Sequence, residues 1–372
     1  MKSMKSLRLL CSMSFVAAAI LVLAPQHAAA QDGYGAVFTM TNAASNNQID
    51  SWVRRDDGSL VWAGAFSTGG NGSGGTVDPL HSQGSLTLSA DHSLLFAVNA
   101  GSGTVSSFAV RGADLILLGT QPTGGSMPTS VTQAGDLVYV LNAGGNGSVS
   151  GFHILPNGHL LPIPNSTRNL GSSASSPTDV VLSPNAQFLI VAESGTNQID
   201  VFHVWPNGTL SSAVTTASAG ATPFAAVFAP TGALIVANAS DTISSYQLDW
   251  HGSLHTVSNA LPTDGLATCW NVLGRFGRSV YTSNATSSTL SGFDIERNGA
   301  LTPIGDTVVG QNPAGSTNID IAASGDGRYL YTLNAAAGVI GIFAVQEDGS
   351  LVSAGQQDGL PASAGMNGIA AY

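Results

Sequence analysis

The sequence is poor in charge and in lysine. Charged residues make up only 9% of its 372 residues, whereas about a quarter is usual for a globular protein. Both lysines, Lys2 and Lys5, lie within the first thirty residues. Beyond them, eight arginines face twenty-two acidic residues, which gives a formal charge of −14. This charge excludes nucleic acid as a partner, because nucleic-acid binding depends on clustered Lys and Arg.

Cysteine, long hydrophobic runs and helical periodicity are scarce after residue 30. Cys269 is the only cysteine there, so no intramolecular disulfide forms within that part. No later segment approaches the roughly twenty apolar residues that cross a bilayer. The fold must therefore be stabilised by burial, and about 340 residues are ample for a large core.

The first thirty residues have the pattern of a secretory signal peptide. Lys2, Lys5 and Arg8 precede an apolar run over residues 9–24, and three alanines at 28–30 supply a small-residue cleavage site. We therefore predict a signal peptide over residues 1–30 and a mature chain over 31–372. The mature chain is expected to be secreted or periplasmic, with no membrane association after cleavage.

One unit recurs seven times in the mature chain. Each copy has an apolar strand with a polar last residue, a small-residue loop, a strand with a central aromatic residue, and a turn before a leucine. The polar residues are Asn42, Asn99, Asn142, Glu193, Asn238, Asn284 and Asn334, at spacings of 43 to 57 residues. The Asn-Gly and Asp-Gly turns suit hairpins. With a further strand before most copies, each unit predicts a blade of four antiparallel strands.

These repeats predict an all-β fold, a seven-bladed β-propeller that forms one domain over residues 31–372. The chain ends on residues 366–372, which resemble an innermost strand without its followers. Residues 34–38 resemble a second strand without its inner neighbour. We therefore predict that the N- and C-terminal strands pair and close the ring, which removes its exposed edges. A monomer is expected.

The repeated unit resembles the lactonase family of seven-bladed propellers, which includes 6-phosphogluconolactonase and the fungal carboxymuconate-lactonising enzymes. It is also similar to secreted propellers with Tyr-Val-Thr-Asn repeats. The third copy shows the pattern, with the strand Val138–Asn142, the aromatic Phe152 and Asn157-Gly158 before Leu160. The resemblance covers about residues 34–372. It implies activity on a lactone, by ring opening or closing, at the mouth of the central channel.

The family's active-site signature is a Gly-Pro-Arg-His strand start followed by a strand that ends in Asn-Glu. The corresponding residues here are 176–179, Ser-Pro-Thr-Asp, and a strand that ends at Glu193. Thr178 and Asp179 therefore stand where the family has Arg and His. A lactonase needs a cation to hold an anionic substrate and to stabilise an oxyanion. An arginine such as Arg168 or Arg275 would have to supply it.

The predicted catalytic residues are Glu193 and Asp179. Glu193 is the only acid at a position that is Asn in the other six copies. We expect the two carboxyls to approach each other at the channel mouth, because paired carboxylates raise one pKa and make a general acid or base. Five residues near the starts of innermost strands are predicted to line a ligand site: Thr178, Trp270, Asp320, Ser85 and Ser130.

Other motifs carry little chemistry. The segment Gly70–Gly75 satisfies Gly-x-Gly-x-x-Gly, but no helix follows it, so no nucleotide cofactor is predicted. The histidines lack a metal-binding spacing, so no metal is predicted either. Two functions remain open. The chain is either an exported lactone-acting enzyme or a non-catalytic secreted propeller that binds a small molecule, a carbohydrate or a protein.

Overall fold

A computed structural model describes residues 35–372, so the predicted signal peptide lies outside the described residues. The described chain forms seven antiparallel sheets arranged as the blades of a propeller. The seven-bladed all-β prediction is confirmed. Its only helical turn within residues 35–372 is a short 3-10 segment, Arg275–Gly277.

The blades are numbered here along the chain, and the first is completed by the last strand. The strands of the first three blades are β1 (Gly35–Met40), β2 (Gln48–Arg54) and β3 (Leu60–Ser67); β4 (Leu86–Leu88), β5 (Leu94–Asn99), β6 (Thr104–Arg111) and β7 (Asp114–Pro122); β8 (Pro128–Ala134), β9 (Leu137–Asn142), β10 (Ser148–Ile154), β11 (Leu160–Pro162) and β12 (Arg168–Asn169). The fourth and fifth blades contain β13 (Pro177–Leu182), β14 (Phe188–Glu193), β15 (Gln198–His203) and β16 (Val214–Ala217); β17 (Pro223–Phe228), β18 (Leu234–Asn238), β19 (Thr242–Leu248) and β20 (Leu254–Pro262). The last two contain β21 (Thr268–Leu273), β22 (Ser279–Asn284), β23 (Thr289–Ile295) and β24 (Leu301–Gln311); β25 (Asn318–Ala323), β26 (Tyr329–Asn334), β27 (Val339–Val345) and β28 (Leu351–Asp358), before β29 (Ile369–Ala371).

The ring is closed by the two ends of the described chain. β29 pairs antiparallel with β1 through Val37↔Ala371, Phe38↔Ala370 and Thr39↔Ile369. It thus becomes the innermost strand of the first blade, and the predicted closure is confirmed. The third blade departs from four strands, because β11 and β12 share its outermost position. Pro162 ends the first of these pairings and Pro164 lies between the two, and proline cannot donate to a strand ladder.

Five of the innermost strands begin directly after a residue other than glycine in the left-handed region: Met127, Ser176, Thr222, Ala267 and Thr317, with φ between 40° and 57°. Their carbonyls accept the backbone N–H of the residue after the polar end of the second strand. The Thr222 carbonyl, for example, accepts from Ala239 at 2.9 Å. This bond explains why a small residue follows each repeated Asn.

The repeated asparagines are buried and structural. The Nδ2 atom of Asn284 donates to Ser291 at 2.8 Å and to Thr289 at 3.0 Å, and its Oδ1 accepts from Thr268 at 2.7 Å. A Cβ on Gly265 would lie 2.1 Å from Asn284 Nδ2, so only glycine fits against the amide. The amide therefore fixes the third strand and the preceding loop of its blade.

Neighbouring blades are joined by packed side chains and by tyrosine hydroxyls. Apolar clusters lie between the sheets. The hydroxyls of Tyr139, Tyr281 and Tyr331 each donate to the carbonyl of a turn glycine in the next blade, at 2.6 to 3.0 Å. The Tyr331 bond reaches Gly58 and so links the seventh blade to the first.

Candidate functional site

The predicted ligand-lining residues lie around the ring axis, and they are buried. Five of the innermost strands have a register shift just after their first residue. The bulge turns Ser130, Asp179 and Trp270 onto equivalent positions. All seven predicted site residues are at most 3% exposed. Apart from Asp320, which lines a cavity described below, a ligand reaches none of them without movement of the covering segments.

Asp179 connects three blades. Its Oδ1 accepts from the Ser130 hydroxyl at 3.0 Å, in the third blade, and its Oδ2 accepts the Ala226 N–H at 2.8 Å, in the fifth. Burial raises the pKa of Asp179 to about 7, against the opposing effect of these hydrogen bonds. Asp179 thus has a structural function that the sequence analysis did not foresee.

Asp320 makes the same kind of link between the seventh and the first blade. Its two carboxyl oxygens accept the N–H groups of Ile321 at 2.9 Å and of Ile369 at 3.1 Å. Burial raises the pKa of Asp320 to about 7, and the charges of Asp179 and Asp78 raise it further. Its φ of +66° belongs to the bulge of its strand. Asp320 thus joins the seventh blade to the first near the axis, and Tyr331 joins the same two blades further from it.

The segment before the second blade crosses the axis. The carbonyl of Ser82 accepts the Trp270 indole N–H at 2.9 Å, and the Gln83 side chain accepts the Asn271 N–H at 2.8 Å. The Gln83 N–H donates to the carbonyl of Thr178 at 3.0 Å. Trp270 and Thr178 therefore face a protein segment and not open solvent. Beyond this crossing lies a cavity of about 280 Å³, lined by small apolar side chains and by Gln83, Asn271 and Asp320.

Ser85 follows that crossing segment directly. It is fully buried, and its hydroxyl has no hydrogen-bond partner among the described residues. A Cβ on Gly368 would lie 2.6 Å from the Ser85 hydroxyl oxygen, so the first blade packs tightly against it. Nothing in its surroundings favours a ligand over a structural function.

An acid and a histidine at the mouth were missed in the sequence analysis. Asp78 accepts from Asn367 at 3.0 Å, and its Oδ2 lies 3.8 Å from Nδ1 of His81. Burial raises the pKa of Asp78 to about 7 and lowers the pKa of His81. The His81 side chain is 56% exposed and contacts the edge of Phe224. No repeat marks these residues, because they lie in the long loop between the first two blades.

Glu193 is paired with a second acid, Asp200, in the middle of the third strand. The two carboxyls are close enough that each influences the pKa of the other. The hydroxyl of Thr196 donates to Glu193 at 2.6 Å, and that of Thr215 donates to Asp200 at 2.5 Å. Burial, with the neighbouring acid, raises the pKa of Glu193 well above its usual range, and burial raises that of Asp200. Glu193 therefore takes up a proton at a higher pH than an ordinary carboxyl does.

In the second and sixth blades serine stands at the position of Asp200. Ser106 and Ser291 lie seven residues after their asparagines, as Asp200 does after Glu193, and each accepts from that amide at 2.8 Å. The fourth blade thus replaces an amide and a hydroxyl with two carboxyls. Superposition of the repeats at this position would have revealed Asp200 from the sequence.

The expected approach of Asp179 to Glu193 was wrong. Asp179 pairs with Ala192, so its side chain shares a face with that residue, and Glu193 points to the opposite face of the sheet. Within the described residues, no hydrogen bond joins the two carboxyls. The charge of Asp179 makes no contribution to the pKa of Glu193. Asp200, and not Asp179, is the neighbour that influences Glu193.

Neither suggested arginine serves the channel. Arg168 donates to the carbonyls of Leu210 and Ser211 between the third and fourth blades. Arg275 belongs to an exposed turn, stacked over Phe276 at 4.9 Å. Residues 35–372 contain no group of three or more His, Cys, Asp and Glu side chains placed to hold a metal ion. That part of the chain also has no helix with the length and apolar character to cross a membrane.

Part of this seven-bladed propeller is similar to a family of lactonases. Residues 163–272, which contain the Glu193–Asp200 pair, match the family model described as Lactonase, 7-bladed beta-propeller. The resemblance inferred from the repeats is thereby confirmed for this part of the chain. No curated protein matches the sequence significantly.

Solved structures extend the similarity to nearly the whole chain. A candidate 6-phosphogluconolactonase from Bacteroides uniformis is 21% identical, with a TM-score of 0.68 over 91% of this chain and 99% of that one. Its counterpart from Bacteroides fragilis is 20% identical, with a TM-score of 0.66 over 91% and 97%. The periplasmic gluconolactonase PpgL of Pseudomonas aeruginosa is 18% identical, with a TM-score of 0.67 over 89% and 99%. At these identities the likeness shows a shared fold.

Proposed function

We propose that this chain is a lactone hydrolase in which the Glu193–Asp200 pair transfers the proton. The observation that carries the proposal is that, among the seven blades, the fourth alone has a buried carboxyl at both of these positions. A carboxyl that keeps its proton near neutral pH suits general acid–base catalysis. The family match over this region and the structures named for lactonases support the same class of reaction.

The reaction requires one proton to be taken and returned. Water adds to the lactone carbonyl carbon and gives a proton to the ionised member of the pair. The bond to the ring oxygen then breaks, and the protonated member supplies a proton to the leaving alkoxide. The product is an open-chain hydroxy acid. One proton shared between Glu193 and Asp200 is restored after each cycle.

A substrate can reach the pair only if the loops that cover it move. Glu193 is covered by Thr196 and by the loop 171–176, which bonds the turn after Glu193 through the Gly195 N–H and the Ser175 carbonyl at 3.0 Å. Opening of this contact would expose the carboxyl. Because Thr178 replaces the family's arginine and Arg168 is held by carbonyls, we propose an uncharged sugar lactone as the substrate class.

The test compares the mature chain with Glu193→Gln in pH-stat assays on D-glucono-1,5-lactone, with spontaneous hydrolysis subtracted. Loss of a proton-transfer group should lower kcat by about 10²–10⁴-fold. Glu193→Asn, which copies the other blades, should be equally inactive with an unchanged unfolding temperature or a higher one. Hydrolysis at the same rate by all three proteins would overturn the proposal.

A second function is favoured by one observation. All seven residues predicted for the site are buried, and a hydrogen-bonded segment crosses the channel between them. Such a mouth fits a non-catalytic propeller that binds its ligand elsewhere. If the wild type does not hydrolyse lactones, this second function replaces the first.

Export is also proposed, on the charge and apolar pattern of residues 1–30. N-terminal sequencing of protein recovered from the periplasm or the medium should find Gln31 or Asp32 first. A mature protein that starts at Met1 would refute export by cleavage.

A further inference from the structure

Two exposed tryptophans lie at the same end of adjacent blades. Trp205 and Trp250 are 48% and 78% exposed, in the turns between the third and fourth strands of the fourth and fifth blades. Burial of a tryptophan ring at an interface contributes more to the binding free energy than burial of most other side chains does. Exposed rings that cluster on one surface therefore mark a binding site more often than scattered apolar residues do.

The two turns pack against the same side chain, that of Phe188. Trp205 packs on His203 at 4.4 Å between ring centroids, and His203 packs on Phe188 at 5.5 Å. A Cβ on Gly252, in the turn of Trp250, would lie 3.6 Å from the same Phe188 ring. We call the turns 183–187, 203–211, 229–233 and 247–256 the neutral aromatic face.

This face carries almost no charge. Its single acid, Asp249, accepts from His255 at 2.9 Å and from two backbone N–H groups of its own turn. The corresponding end of the first and seventh blades is different, because Arg328 there pairs with Asp56 and Asp326 and the turn of Glu347 and Asp348 adds two more acids. The neutral aromatic face is therefore unsuited to an anionic or cationic partner.

The chemistry of the face identifies its ligand. Flat indole rings bury apolar C–H surfaces, and polar groups beside them, such as His203, His251 and Asn207, hydrogen-bond hydroxyls. A neutral polysaccharide presents both kinds of surface along its chain. We propose that the neutral aromatic face binds a neutral β-linked glucan. This site is separate from the Glu193–Asp200 pair and does not rest on lactone hydrolysis.

The test is native affinity electrophoresis of the mature protein through gels that contain barley β-glucan or hydroxyethylcellulose. The double variant Trp205→Ala/Trp250→Ala is compared with the wild type and with Trp62→Ala. Trp62 is a matched control, since it is 54% exposed but lies on the outermost strand of the first blade. Thermal unfolding of all three proteins confirms that each is folded.

The proposal predicts that the glucans retard the wild type and Trp62→Ala, and that the double variant binds about tenfold more weakly or worse, as loss of two stacked rings implies. Polygalacturonate, which is anionic, should retard none of them. Three outcomes would overturn the proposal: no retardation of the wild type, equal retardation of the double variant, or binding to phosphatidylcholine vesicles that depends on the same two tryptophans.

Discussion

The fourth blade and the other six use the same backbone for different purposes. In five blades the second strand ends in an asparagine, and in the first blade Asn42 follows that strand. At Asn99, Asn238 and Asn284 the amide bonds hydroxyls of the next strand. In the fourth, Glu193 and Asp200 occupy the corresponding positions, and burial raises the pKa of both carboxyls. Two substitutions thus change the chemistry of a repeated structural position without a change of fold.

Removal of a repeated asparagine tests whether this residue is structural in the blades other than the fourth. It should have the largest effect on stability. Asn284→Ala leaves the hydroxyls of Thr268, Thr289 and Ser291 buried without this partner. We expect the free energy of unfolding to fall by about 2–3 kcal/mol. Urea unfolding measures it. A change below that of a surface control such as Gln356→Ala would show that the amides are not structural.

Gly265→Ala tests the close contact that accompanies the asparagine. The added methyl would lie 2.1 Å from Asn284 Nδ2, so the amide must move and its bonds weaken. Overpacking of this kind destabilises by about 1–3 kcal/mol. Combined with Asn284→Gly, which also removes the Asn284 Cβ that would lie 2.7 Å from the methyl, the penalty should largely disappear in a double-mutant cycle. Additive effects would contradict the proposed contact.

The raised pKa values of buried acids should make the stability of the protein depend on pH. An acid whose pKa is higher in the folded state than in the unfolded state binds its proton more tightly when the protein is folded. Its contribution to the free energy of unfolding is fully present below the unfolded pKa and is lost as the pH rises through the folded pKa. Asp179 and Asp320 have folded pKa values of about 7, and that of Glu193 is also raised. We therefore expect the unfolding temperature to fall between about pH 4 and 8.

The double variant Glu193→Asn/Asp200→Ser removes the raised acids of the fourth-blade pair and should flatten part of this decline. Differential scanning calorimetry at several pH values measures both curves. Parallel curves for the wild type and the double variant would show that the pair does not hold a proton in this range.

The smallest effect is expected where the fourth blade is attached to the third. Tyr139→Phe removes the hydroxyl that donates to the Gly208 carbonyl at 2.6 Å. We expect a loss of about 1 kcal/mol, equal to that of Tyr281→Phe between the sixth and seventh blades. A much larger effect for Tyr139 in chemical unfolding would mean that the fourth blade depends on its neighbour more than the other blades do.

The architecture could be predicted from the sequence because its signals are local and repeated. The turn glycines, the alternating apolar strands and the terminal Asn each recur about once per blade. Their spacing alone defined the number of blades and the closure by β29. Glu193 stood out for the same reason, since it breaks the repeat.

The site was predicted less well because its contacts are not local. Asp179 was placed beside Glu193 because both lie at paired strand ends, but alternation along β14 directs them to opposite faces. Asp200 was missed because an acid in the middle of a strand gives no signal unless the repeats are superposed. The partner of Trp270, at Ser82, lies 188 residues away in the sequence, and no repeat predicts such a contact.

The segment that crosses the axis also affects how the protein unfolds. Propeller blades resemble a linear array, in which each unit contacts its neighbours and could open by itself. Ser82 and Gln83 instead bond the fourth and the sixth blade from a loop that precedes the second. These contacts close very long loops of chain, which makes them slow to form. Because blades far apart in the ring share this one segment, the seven sheets should unfold as a single cooperative unit, and partly opened rings should be rare at equilibrium.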